Sequence, residues 1–241
     1  MISIICCFNN YKTYNEMLYK SVSKQKAEYE IIAIDNSKGK FESSAQALNY
    51  GASISKGEYL VFVHQDMEFM QEDFLQSLKR YLDELNDSII GLAGMKDALG
   101  VYTNLKHGSN KKYAGDFRVN EPIEMQTLDE CLIAMKRDTY LKLKFDEVTC
   151  YNWHLYAVDM CLAGNLINVK SYVIPLEAYH KSCGVISREY KKNLYKIIKK
   201  YRKSYDVIYT TCSVSYTNII KNIYYKIKKK SLNFLCRINE R

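Results

Sequence analysis

One stretch constrains this chain more than any other: Tyr59-Leu60-Val61-Phe62-Val63, followed at once by His64-Gln65-Asp66. An apolar run of this length, preceded by Lys56-Gly57-Glu58 and stopped by a polar triplet, reads as a buried strand. A carboxylate at the carboxyl end of a parallel strand lies in the crevice where open α/β sheets bind ligands. Asp66 is placed there either to hold a divalent cation against a phosphate or to cap the helix that follows.

The flanking sequence supports a layered α/β fold. Strands are expected at Ile2–Phe8, 29–34, Tyr59–Val63 and 89–93. Helices are expected at 15–25, 43–55 and 71–85, the last with Phe74, Leu75, Leu78 and Leu82 at helical spacing. This alternation implies crossovers and a mostly parallel sheet. Beyond residue 95 the order loosens. Residues 97–120 read as a long loop or short ribbon, and 123–135 as one or two strands. Arg137–Leu143 and 153–162 read as helices, and 167–174 as a strand.

Charge divides the chain. Of 35 Lys+Arg and 27 Asp+Glu, residues 1–186 hold 20 and 24, while residues 187–241 hold 15 and 3. The division expected is a catalytic domain, 1–186, and a basic tail, 187–241. Leu194, Ile197, Ile198 and Tyr201 form one apolar stripe in the tail, and Ile219, Ile220, Ile223, Tyr224 and Ile227 a second. They predict two amphipathic helices joined by 205–217. Such a tail fits an anionic membrane surface, a second copy of the chain, or packing on the domain itself. No nucleic-acid motif accompanies the charge, so nucleic acid is the least favoured partner.

The eight cysteines include no CxxC pair. Cys6 and Cys7 are strand neighbours, whose side chains point to opposite faces. Reduced thiols and a cytoplasmic setting are expected, with no spanning helix and no signal peptide. His180 and Cys183 alone are weak grounds for zinc.

There is neither a GxGxxG nor a GxxxxGK[ST] run, so a dinucleotide fingerprint and a P-loop are both unsupported. Polar groups instead end three strands: Asn9-Asn10, Asp35-Asn36-Ser37 and His64-Gln65-Asp66. In this arrangement the chain resembles the family 2 glycosyltransferases of the GT-A fold over about residues 1–185. Ile2–Phe8 with Asn9 is similar to the family's first strand and nucleoside turn. Ile34-Asp35-Asn36-Ser37 is similar to the segment whose aspartate holds uracil. Ala45-Gln46-Ala47-Leu48-Asn49-Tyr50-Gly51, with Gly57-Glu58-Tyr59, resembles the run into the metal strand. His64-Gln65-Asp66 falls on the family's DxD-like triplet, and Trp153–Cys161 resembles an H-x-Y-x-x-D-x-C helix.

The resemblance implies a metal-dependent transferase. It would move a sugar from a nucleotide sugar, UDP first, to a glycan or lipid-linked glycan with inversion. Phe8, Asn9, Asp35 and Gln65 would hold the nucleotide. Asp66 and His180 would hold the cation, Mn²⁺ in preference to Mg²⁺. Asp159 or His154 would be the base, and Asp129, Glu130 and Trp153 would meet sugars. Three departures stand against the pattern: Gln65 replaces a carboxylate, Ser43 lies near a missing arginine, and the usual base position falls on Ala157. They keep open a nucleotide- or sugar-binding pseudoenzyme. A nucleotidyltransferase would need a Gly-rich loop where Phe8-Asn9-Asn10-Tyr11 stands.

Overall fold

Ile2–Phe8 shows why the protein is layered. Ile2, Ile4, Cys6 and Phe8 face one apolar cluster, and Ile5 faces a second. A strand apolar on both faces must be covered on both sides. The computed structural model of the chain describes residues 1–182, 186–218, 220, 221 and 223–225. In chain order the strands are β1 (Ile2–Phe8), β2 (Tyr29–Asp35), β3 (Tyr59–Val63), β4 (Met67–Phe69), β5 (Ser88–Gly91), β6 (Ala93–Met95), β7 (Tyr102–Thr103), β8 (Lys106–His107), β9 (Lys112–Tyr113), β10 (Ile123–Met125), β11 (Thr127–Leu128), β12 (Leu132–Lys136), β13 (Lys170–Val173), β14 (Ala178–His180), β15 (Val207–Thr210) and β16 (Ser213–Tyr216). The helices are α1 (Tyr11–Tyr14), which passes through a π turn at Asn15–Tyr19 into α2 (Lys20–Val22), then α3 (Ser44–Ile54), α4 (Phe74–Glu84), α5 (Arg137–Leu143), α6 (Tyr156–Leu166) and α7 (Arg188–Tyr201).

The main sheet has the order β10-β13-β5-β12-β3-β1-β2. β1, β2, β3, β5 and β13 run one way, and β12 and β10 run against them. The mostly parallel sheet expected from the sequence is present, with one antiparallel strand in its middle. No helix separates β11 from β12, so the crossover that a parallel strand needs is missing there. The helix run α1–α2 and α4 cover one face through Tyr14, Leu18, Phe74, Leu75 and Leu78. α3, α5 and α6 cover the other through Ala45, Leu48, Tyr140, Tyr156 and Met160. Gly51 lets α3 press close, since a Cβ there would stand 2.5 Å from Ile5 Cγ2. Asn49 is structural: its amide bonds Phe145 O and Glu147, and its oxygen accepts from Tyr140 and Phe145 N.

Residues 97–120 hold three two-residue strands, too short to show alternation in sequence. The first of the tail's two stripes forms α7, which packs on α6: Tyr190, Ile197 and Tyr201 meet Leu155, Val158 and Leu162. Residues 205–217, expected as a connector, contain the β15–β16 hairpin. It is tied to the domain by Gln126 Nε2 to Val207 O at 2.9 Å, and by Thr127 Oγ1, which donates to Tyr209 O. Ile219 and Ile227 of the second stripe lie outside the described residues, as does Cys183.

Lys200 of α7 anchors this packing. Its Nζ lies 2.7 Å from Asp159 and 2.8 Å from Asp146. Asp159 is 3% exposed, and removing the cation that pairs with a buried charge is costly. Lys200→Met should therefore lose about 2–3 kcal/mol in chemical denaturation, and adding Asp159→Asn should recover much of it. A loss under about 0.5 kcal/mol, the scatter of ordinary surface substitutions, would contradict the anchor.

Candidate functional site

The site is built where β3 ends. His64 N donates to Cys131 O at 3.0 Å, and the chain turns directly into β4. β4 pairs antiparallel with β14, setting Met67 opposite His180. Lys181 N then bonds Asp66 O at 3.1 Å. The pairing carries the His180 ring to 3.3 Å from Asp66 Oδ1. Ligand atoms of His64, Asp66 and His180 all lie within 4.8 Å of one another.

These residues fit a divalent cation. His180 Nε2 is buried, and its approach to Asp66 lacks the alignment of a hydrogen bond, so the nitrogen has no hydrogen-bond partner among the described residues. Such an orphan in a polar cluster needs an explanation, and an ion is one. His64 Nε2 lies 3.1 Å from Tyr156 OH, which is itself 3.2 Å from Glu130 O. The single phenolic proton goes to that carbonyl, so Nε2 carries the His64 ring proton and Nδ1 keeps its lone pair. Burial, with His180 beside it, pushes the His64 pKa down to about 4, leaving a neutral imidazole. Burial alone would raise the Asp66 pKa, but His180 and hydrogen bonds from Ser182 hold it well below the usual carboxylate range. Burial opposes protonation of His180, and Asp66 outweighs it. Ser182 supports Asp66 Oδ2 through its N–H at 3.1 Å and through its hydroxyl.

A cleft of about 390 Å³ opens from this corner, and Phe8, Asn9, Asn36, Gln65, Trp153 and Tyr156 are among its walls. Gln65 explains its own departure from a carboxylate. Its Oε1 accepts from Asn9 N and Asn10 N at 3.1 and 3.0 Å, and its Nε2 donates to Asn9 Oδ1 at 2.8 Å. A carboxylate lacks that donor. The amide therefore locks the turn after β1, where Asn10 caps α1 by accepting from Thr13 N. Phe8 stacks on Tyr14, with ring centroids 4.7 Å apart. Asp35 stands exposed at the rim, one residue before the cleft-lining Asn36. One of its oxygens accepts from Ser37 N at 2.8 Å, and the Ser37 side chain together with that N–H lowers its pKa.

The opposite wall is the turn Trp153–Leu155. Trp153 is 42% exposed and lines the cleft. Leu155 sits at φ 66°, a strained setting for a branched residue. It is held there by the Glu130 carboxylate, which accepts from Leu155 N. Asp129 Oδ1 accepts from Cys131 N at 3.0 Å, and Thr211 Oγ1 donates to Oδ2 at 2.6 Å.

Two expected residues stand apart. Asp159 and His154 do not line the cleft. Both Asp159 oxygens are bonded by Lys200, at 2.7 and 2.9 Å. His154 faces Ser187 Oγ at 3.2 Å and packs edge-on against Tyr190. Asp159 is an ion-pair partner of Lys200, and His154 belongs to the α7 contact. Their proximity in sequence to Trp153 did not show that α7 would cover them. His64 and Ser182 were not singled out as ligand and support. His64 was legible as part of the triplet, whereas nothing local marks Ser182.

The chain matches the glycosyltransferase-like family over residues 3–209, across the charge boundary near 187. A curated protein of Fuscovulum blasticum, described as ATP synthase subunits region ORF 6, is 24% identical over 160 residues. That stretch is 61% of each chain. Among solved structures, S. aureus TarS 1-349 in complex with UDP-GlcNAc shares the fold at TM-score 0.57 and 15% identity, covering 83% of this chain and 66% of TarS. The Pyrobaculum calidifontis mannosyltransferase PcManGT with GDP-Man and Mn²⁺ gives 0.57 at 13%, covering 85% and 64%. GalNAc-T7 with UDP, GalNAc and Mn²⁺ gives 0.56 at 12%, covering 83% and 48%. The chain thus spans under two thirds of the length of each of these proteins. Its GT-A architecture and its match along most of its length place this protein in the glycosyltransferase-like family.

Proposed function

We propose that the protein transfers a sugar from a nucleotide sugar, UDP-linked in preference to GDP-linked, to a glycan or lipid-linked glycan. The observation that carries this reading is the approach of His180 to the cleft-lining Asp66, with the His180 Nε2 left without a hydrogen-bond partner among the described residues. Asp66, His180 and His64 would hold a divalent cation. Bound there, it neutralises the charge that the departing diphosphate gains. Imidazole ligands favour Mn²⁺ over Mg²⁺. TarS and GalNAc-T7 hold UDP or a UDP-sugar, and PcManGT holds GDP-Man, so the class of donor fits the fold.

The chain's own groups do the remaining work. The turn of Phe8 and Asn9, locked by Gln65, forms one side of the nucleoside pocket. Asp35 keeps one oxygen for a base N–H. Trp153 offers an apolar face on which a sugar ring can stack. Displacement from the side opposite the leaving diphosphate inverts the anomeric centre. Among the described residues no helix is long and apolar enough to cross a membrane. Beyond the hairpin Ile220 is 79% exposed and Tyr224 67%, in the segment that carries the charge excess. That pairing favours an anionic membrane surface, where a lipid-linked acceptor is presented.

Three outcomes test this reading. Asp66→Ala should abolish UDP release from a UDP-sugar and the Mn²⁺-dependent part of UDP affinity in calorimetry. His180→Ala should weaken Mn²⁺ binding at least about tenfold, a loss that even indirect partners of a metal produce. Unchanged Mn²⁺–UDP affinity in both variants would overturn the metal assignment. Asp35→Ala should weaken UDP with and without metal, and equal affinity would remove Asp35 from the site. Full-length protein should sediment with phosphatidylserine vesicles at low salt and come off as salt rises, since each Lys or Arg near such a surface contributes about 1 kcal/mol. Protein that stays in solution at low salt would contradict the membrane role.

A further inference from the structure

Four carboxylates lie deep around this site, and three have their charge compensated or their oxygens filled. Asp66 faces His180 and Ser182. Asp159 faces Lys200. Asp129 has one oxygen on Cys131 N and the other on Thr211 Oγ1. Glu130 is the exception. One of its oxygens accepts from Leu155 N, its own backbone N–H also acts on the carboxylate, and no cation pairs with it among the described residues. Apart from Asp129, the groups set around it among the described residues are neutral: Cys131 beside it, Tyr156 and Cys161 on α6, Cys150 before that helix, Tyr190 on α7 and Cys212 in the hairpin turn. The one charged neighbour, Asp129, repels it. An uncompensated carboxylate in such a place is costly for the fold. Groups kept at that cost concentrate where they react.

Its position matches such a use. Leu155 N belongs to the turn between Trp153 and Tyr156, two residues of the cleft wall. Glu130 O meets Tyr156 OH, which reaches His64. The next carbonyl along, Cys131 O, holds His64 N. Glu130 is thus tied through its carboxylate to the turn that carries Trp153, and through its carbonyl and Tyr156 to the metal corner, one residue behind the cleft wall. Part of its surface remains open. α6 contributes no rival, since its single carboxylate is Asp159.

We propose that Glu130 is the catalytic base that takes the proton from the acceptor hydroxyl, an inference that rests on the glycosyl-transfer reading above. As the hydroxyl oxygen's electron pair forms its bond to the anomeric carbon, the hydroxyl proton passes to the Glu130 carboxylate. The bond from that carbon to the diphosphate oxygen breaks, and its electrons leave on the nucleoside diphosphate. Burial first, and Asp129 second, push the Glu130 pKa up to about 8. A base with a pKa near the working pH combines ionised population with proton affinity.

The test uses full-length protein, Mn²⁺, and UDP-glucose and UDP-N-acetylglucosamine as donors, with water as acceptor and UDP release as readout. Glu130→Gln keeps an acceptor for Leu155 N, so the turn should stand. UDP release should fall about a hundredfold or more, while UDP affinity stays within threefold. The parent rate should rise with pH through about 8, and that limb should vanish in the variant. Azide, which needs no deprotonation, should restore turnover to Glu130→Ala. A Gln variant within threefold of the parent, or one that keeps the limb, would overturn the assignment while leaving the transferase reading intact. A parent that releases no UDP from either donor would overturn both. A direct check needs no turnover: the carboxyl carbon of Glu130, followed by NMR, should titrate well above the ordinary glutamate value of about 4.3. A midpoint near that value would overturn the proposal even if the variants failed to fold.

Discussion

The pairing of β4 with β14 is the contact on which the site depends. Asp66 and Ser182 are 116 residues apart in sequence, and two short strands bring their segments into register. That ladder sets His180 against Asp66, and the Lys181 N–H on Asp66 O extends it by one step. The large sheet fixes where β3 ends, and the small one decides what meets it there. A slip of one residue along β14 would turn His180 to the opposite face and leave Asp66 without its imidazole.

Buried charge is distributed unevenly around this corner. His180 and Ser182 hold Asp66 ionised, which suits a carboxylate ligand, while a cation bound there would take the place of the proton that Asp66 favours on His180. Asp159 uses its charge to bind α7 to α6 through Lys200. The first part of the basic tail thus belongs to the folded body, and the Trp153–Leu155 turn is clamped from two sides. Asn193 Nδ2 donates to His154 O at 2.6 Å from α7, and Glu130 holds Leu155 N from the sheet. Gln65 makes a comparable clamp on the nucleoside side. Both walls of the cleft are therefore set before a substrate arrives, and preorganisation of that kind lowers the cost of binding.

Much of the sheet was legible because β1, β3 and β5 are continuous apolar runs that only a covered strand explains. Asp66 was legible as the abrupt end of such a run, and His180 through a family resemblance. What lay beyond reach was decided by contacts distant in sequence. Strands of two residues, such as Lys106–His107, carry no period to read. The β15–β16 hairpin, with four residues in each strand, resembled a connector between helices. Asp159 drew attention as a carboxylate among apolar neighbours, and that oddity was real, but its cause was Lys200 on a helix read as a separate tail. Glu130 was legible only as a carboxylate that could meet a sugar, because its lack of a paired cation among the described residues is visible only once α6, α7 and the hairpin surround it.

The central claim is that His64, Asp66 and His180 hold a divalent cation against the diphosphate of the donor. Pulsed electron paramagnetic resonance of Mn²⁺ bound to the full-length protein together with UDP addresses it most directly. The account predicts nitrogen couplings from directly bound imidazole and phosphorus couplings from the diphosphate in one spectrum. A spectrum with phosphorus but no nitrogen coupling, recorded while UDP is bound to the protein, would contradict it.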